Sequence, residues 1–273
     1  MTFAELTLDP FTEFAFMRRA LAGCVALSLG AAPVGVFLML RRMSLTGDAM
    51  AHAILPGAAV GFMVAGLSLP AMTLGGLAAG LIVALLSGAV ARSTVLREDA
   101  SLAAFYIMSL ALGVVIISTQ GSSVDLMHVL FGAVLSLGDP ALILAGAIAT
   151  LTLVTLAFIY RPLVMECVDP NFLATISGSG MWVHMVFLAL VVSNLVGGFQ
   201  ALGTLMAVGI MVLPAAAARF WAREIQGLML AAVLIAVVAS VVGLLTSYPL
   251  DWPSGPAIVL SAGAIYIGSI LFG

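Results

Sequence analysis

Gly227-Leu228-Met229-Leu230-Ala231-Ala232-Val233-Leu234-Ile235-Ala236-Val237-Val238-Ala239-Ser240-Val241-Val242-Gly243-Leu244-Leu245-Thr246-Ser247 is a run of 21 residues without one charge. A helix of that length rises about 30 Å, the thickness of a bilayer's hydrocarbon core. The run is one of nine. Charged and turn residues mark out apolar stretches at 20–40, 44–67, 71–91, 101–119, 140–160, 182–198, 200–214, 227–247 and 256–272. Each is helical by default, because lipid offers a backbone N–H or C=O no partner. Over all 273 residues, 63% are apolar and 8% charged, against roughly 25% charged in soluble domains. The mean hydropathy of +1.27 leaves too little polar surface for water. The fold class is therefore all-α: a polytopic integral membrane protein of eight or nine transmembrane helices, with residues 1–273 forming one transmembrane domain.

The charges narrow the function. Twelve acidic and nine basic residues give a net charge of −3, and every basic residue is arginine. No basic patch exists for nucleic acid. Without lysine there is no P-loop lysine, no pyridoxal-phosphate Schiff base and no lysine nucleophile. These enzyme classes are excluded, and any ATP must be hydrolysed by another chain. Each of the three histidines is followed by an apolar residue, so H-E-x-x-H is also absent. Cys24, inside a span, and Cys167, in a polar loop, form neither a disulfide framework nor a zinc motif.

Arginines orient the chain. Arg41 and Arg42, Arg92 and Arg97, Arg161, and Arg219 and Arg223 fall in alternating loops if there are nine spans. Placing these loops in the cytoplasm puts the C-terminus inside; Arg18 and Arg19 dissent. Residues 1–18, with Glu5, Asp9 and Glu13, read as an interfacial lead-in rather than a basic signal start. Between 182–198 and 200–214, Gly197, Gly198 and Gln200 mark either a tight hairpin or a break in one irregular span. The core of 121–139, Leu126 to Leu137, is too short to cross.

Chemistry concentrates at Asp48 and His52. Their i, i+4 spacing puts both on one helical face, one turn apart. A carboxylate and an imidazole together suit a borderline divalent metal, and the competing reading is an end-of-helix ion pair. His128 and His184 lack an acidic neighbour at ligand spacing and read as interfacial or hydrogen-bonded histidines. Gly57/Gly61 and Gly76/Gly80 are GxxxG spacings, read as ordinary helix packing. The loop 162–181 holds an amphipathic stretch: Asp169 can cap a short helix with Pro170 at its first position, Phe172 and Ile176 share a face, and Ser177-Gly178 ends it. Such a helix can dock in a partner's groove; the spacing fits a plain loop with one helical turn equally well.

Four segments, in order, resemble the membrane-spanning subunit of zinc/manganese/iron-type ABC importers. They are Arg41-Arg42-Met43-Ser44-Leu45 leading to His52-Ala53-Ile54-Leu55-Pro56-Gly57; Leu130-Phe131-Gly132; Gly203-Thr204-Leu205-Met206 through Leu213-Pro214-Ala215-Ala216-Ala217-Ala218-Arg219; and Tyr248-Pro249-Leu250-Asp251-Trp252-Pro253 onward. The resemblance implies a type II-like permease in a bacterial plasma (inner) membrane. It implies a homodimer, cytosolic ABC ATPase subunits and an extracytoplasmic metal-binding protein as partners. It makes Asp169, Pro170, Phe172, Ala174, Ile176 and Gly178 the cytoplasmic coupling segment, although Ala174 and Gly178 stand one position later than the family's pattern. No cofactor is expected to be permanently bound. The transported ion is a divalent metal, zinc first by affinity order and manganese second. The alternative is an ion-coupled secondary metal transporter or channel, which would need no ATPase but would usually carry more intramembrane carboxylates.

Overall fold

A computed structural model describes residues 14–66, 68–96, 98–119, 137–168 and 180–273. Ten helices are described: α1 (Ala15–Leu40), α2 (Thr46–Ala53), α3 (Leu55–Ala65), α4 (Leu69–Ser93), α5 (Glu98–Thr119), α6 (Asp139–Val168), α7 (Gly180–Leu202), α8 (Thr204–Ala218), α9 (Ile225–Leu250) and α10 (Ser254–Phe272). Among the described residues, eight stretches are long and apolar enough to cross a membrane, α2 and α3 together counting as one, Thr46–Ala65. The remaining apolar stretch is α8. Its 15 residues rise only about 22 Å, short of a core of about 30 Å.

The described residues of Met1–Met39, Asp125–Thr150 and Gly197–Gly273 pack as one unit, and those of Leu40–Val124 and Leu151–Val196 as another. In the first unit the ambiguity around 197–204 resolves into a hairpin. Its pivot is Gly203, at φ 95°, a backbone region open to glycine at little steric cost. A Cβ on Gly198 would stand 2.5 Å from that of Ala207, whereas nine residues of continuous helix would hold them about 13 Å apart. Gly197 and Gly198 are therefore not the turn. They pack, against Ile148 and Ala207 respectively.

The ends of this unit bear on orientation. Arg19 Nε lies 3.1 Å from Asp139 Oδ1, and the ring of Phe14 lies 5.7 Å from that of Tyr248. The starts of α1 and α6 and the finish of α9 thus meet at one end. At the other, Trp221 Nε1 donates to Ser269 Oγ at 2.8 Å, and Gly273 abuts Phe220. The C-terminus shares that end with Arg219 and Arg223. Arg19, one of the two dissenting arginines, has a carboxylate partner at its own end.

In the second unit α3 and α4 form a close antiparallel pair. Gly57 lies against the backbone of Gly75, and Gly61 against that of Ala71. Without a hydrophobic drive between helices in lipid, such backbone approach supplies the packing. Gly76 and Gly80 instead receive Ile54 and Val192. Both GxxxG spacings are thus ordinary packing within one chain, as read from the sequence. Two boundaries differ from expectation. The stretch 44–67 divides at Ile54 just before Pro56, which has no N–H for the helix ladder. There Ser109 Oγ donates to the Ala53 carbonyl at 2.9 Å. In addition, α6 continues through Pro162 to Val168, so residues 162–168 of the expected loop are helical, with Leu163 fully buried.

Candidate functional site

Short α2 carries the candidate ligands. Thr46, Gly47, Ala49, Met50, Ala51 and Ala53 form its buried side, and the small ones let neighbouring helices approach. Asp48 and His52 occupy the open stripe, their side chains 67% and 34% exposed. Asp48 stands in the first turn and His52 in the last, each at the end where its charge or basicity suits the helix dipole. From α5, the Tyr106 ring lies 6.4 Å from the imidazole at an interplanar angle of 30°. No sequence spacing signals that contact, because it crosses between helices.

His52 Nε2 and Asp48 Oδ1 are 3.9 Å apart. A metal bonded to both at about 2.1 Å needs them about 3.4 Å apart in tetrahedral geometry, or about 3.0 Å as neighbours in an octahedron. The required closure is only about 0.5–0.9 Å, within reach of side-chain rotation. Among the described residues no group of three or more His, Cys, Asp or Glu converges. One chain therefore offers a two-ligand, open site here. That is unlike a structural zinc centre, which closes with four protein ligands.

The other expected site residues distribute differently. Asp169, Pro170, Phe172, Ala174, Ile176 and Gly178 lie outside the described residues, as do His128 and Leu130-Phe131-Gly132. His184 is hydrogen-bonded, as read from the sequence, and its partner stands 143 positions away: Arg41 Nη2, 2.5 Å from His184 Nδ1. Arginine can only donate, so Nδ1 is the acceptor in this contact. Arg41 also meets Glu166, Nη2 to Oε1, at 3.1 Å. Sequence reading missed this cluster because Arg41 and Glu166 each look like solvated loop charges when the chain is read linearly.

Comparison with known proteins agrees with this architecture. The chain is 30% identical over 260 residues, 95% of its length and 91% of the relative's, to the manganese import system permease protein ScaB of Streptococcus parasanguinis. It is 27% identical to the chelated iron transport system membrane protein YfeD of Yersinia pestis, covering 98% of this chain and 89% of that one. The solved structure of PsaBC from Streptococcus pneumoniae in complex with Fab superposes with a TM-score of 0.86 at 28% identity, covering 100% of this chain and 96% of that chain. Residues 13–273 match the ABC 3 transport family. With eight helices capable of crossing a bilayer and permease relatives along nearly its whole length, this chain is a multi-pass bacterial membrane protein belonging to the ABC 3 transport family.

Proposed function

We propose that the chain is the membrane permease of an ATP-driven importer of divalent metal, with manganese the first candidate cargo. The observation that carries the reading is the Asp48–His52 pair, one turn apart on the open stripe of α2 and separated by 3.9 Å. An ion in transit must be held well enough to enter and weakly enough to leave, which an incomplete ligand set provides. Two copies about a twofold axis would supply up to four ligands to one pathway.

Affinity order alone favours zinc. The printed functions of the relatives, manganese for ScaB and chelated iron for YfeD, support manganese ahead of it. A carboxylate–imidazole set that leaves other positions to water accommodates manganese, an oxygen-preferring ion. The cargo is substrate, and no resident cofactor enters the reading. Hydrolysis belongs to separate cytosolic ATPase subunits, docked at residues 169–178. A soluble metal-binding protein delivers the ion on the outer face. Orientation follows the arginines: the end of the first unit that holds Arg219, Arg223 and Gly273 faces the cytoplasm.

The test is manganese uptake into sealed vesicles holding the permease and its ATPase subunits. Uptake should require ATP and the second protein, and should persist when proton and sodium gradients are collapsed. Uptake driven by a gradient alone, without ATP, would refute the assignment. Competition among manganese, zinc and iron(II) at fixed free concentrations orders the cargo.

A further inference from the structure

The Arg41 cluster is a buried ionic group distinct from the Asp48–His52 pair. In the second unit, Arg41, Glu166 and His184 have side chains only 11%, 8% and 2% exposed. The Arg41 Cζ lies 5.2 Å over the ring of Phe187, itself fully buried. His184 Nδ1 is 3.8 Å from Glu166 Oε1, so all three polar groups meet at one Arg41 nitrogen. Charge taken out of water is expensive, and an apolar cluster would hold the helices together as well or better. Ionisable groups held away from water in a membrane protein are costly and mark functional positions.

Connectivity suggests what the cluster does. Glu166 lies near the end of α6 and His184 in the first turns of α7, so the two residues bracket positions 169–179. Arg41 directly follows α1, and Arg42 then turns the chain at φ 58°. That left-handed conformation is uncommon for a non-glycine residue, and it holds the turn tightly. Helix α2 begins at Thr46, so Asp48 stands only seven residues beyond Arg41. One guanidinium thus grips both helices that flank the proposed ATPase-docking segment, and sits at the head of the helix that bears the proposed metal ligands.

We propose that Arg41, Glu166 and His184 are positioning residues that transmit movement of the α6 and α7 ends to α2, coupling ATP hydrolysis to metal release. The inference rests on the readings of 169–178 and of Asp48/His52 given above. Arginine suits the task because its planar guanidinium lies over the Phe187 ring while the two N–H groups of Nη2 point in fixed directions at Glu166 and His184. Lysine offers neither the plane nor the fixed directions. His184 contributes an acceptor at Nδ1, a role that the side-chain oxygen of asparagine can also fill.

The experiment uses the complete transporter in vesicles and reads manganese moved per ATP hydrolysed, alongside ATPase association and manganese binding to the purified permease. Glu166→Gln, Arg41→Lys and His184→Leu should each lower manganese moved per ATP by about tenfold, a typical inter-site coupling. ATPase association, hydrolysis and manganese binding should persist, and His184→Asn should keep most of the coupling. A purely structural staple would lower the amount of inserted protein and leave the ratio unchanged in the molecules that remain. An unchanged ratio in Glu166→Gln and His184→Leu, measured per inserted molecule, overturns the proposal. So does loss of manganese binding in these variants, or a drop in His184→Asn as large as that in His184→Leu. If Phe172→Asp leaves ATPase association intact while Glu166→Gln uncouples, the docking segment is misassigned and the Arg41 link stands.

Discussion

Replacing His52 by alanine separates a metal ligand from a structural histidine, because the two roles predict opposite losses. The structural cost should be small. His52 is one-third exposed and Asp48 two-thirds exposed, with 3.9 Å between them, and an ion pair so exposed contributes at most about 1 kcal/mol. Alanine is the better helix former by a few tenths of a kcal/mol, about 0.5, which offsets part of that. The buried stripe of α2 does not include either residue. Folded, inserted protein should therefore stay near its normal amount.

The functional cost should be large. Removing a mere supporting partner of a metal ligand weakens binding by about 10–100-fold, so losing a direct ligand should cost at least about 100-fold, about 2.7 kcal/mol. In a homodimer each substitution deletes two donors of four, which adds to the loss. The assay is manganese uptake in vesicles across a range of free manganese, normalised to folded permease, with equilibrium manganese binding to the purified protein alongside. Asp48→Ala should behave like His52→Ala. If both variants transport near-normally per molecule, or if both vanish from the membrane while the residual molecules turn over normally, the ligand assignment is wrong.

Three further outcomes follow from the same structure and readings. Phe172→Asp should abolish capture of the ATPase subunits by detergent-solubilised permease without lowering insertion, and normal capture would make 169–178 a simple loop. A reporter active only in the cytoplasm, fused after Gly273, should be active, whereas activity of an exterior-only reporter there would invert the arginine-based orientation. Gly57→Ala would place a methyl group 2.6 Å from Ala79 Cβ and against the Gly75 backbone. Since carbon atoms rest about 3.5–4.0 Å apart, α3 and α4 must part by about 1 Å, lowering stability by about 1–3 kcal/mol. Thermal unfolding in detergent measures this, with Gly263→Ala, which meets nothing within 4 Å, as the neutral control.

Hydropathy and the absence of lysine were enough to establish a helical membrane protein that cannot itself carry a P-loop. These are properties of composition and local run length, and lipid enforces them on any chain of this kind. The Asp48–His52 pair was equally legible, because i, i+4 neighbours on a helix meet whatever surrounds them. What the linear chain could not disclose depends on contacts between distant segments. The hairpin pivots at Gly203 rather than at the Gly197-Gly198 pair because those two glycines sit where Ile148 and Ala207 press against the helix. Helix α6 runs seven residues past Arg161, through a proline that reads as a terminator, because burial of Leu163 favours continuing it. Above all, Arg41, Glu166 and His184 look like two loop charges and an isolated histidine until α6 and α7 bring them together. Only tertiary structure brings a guanidinium to 3.1 Å from a carboxylate 125 positions away, and that pairing is what lets both be buried.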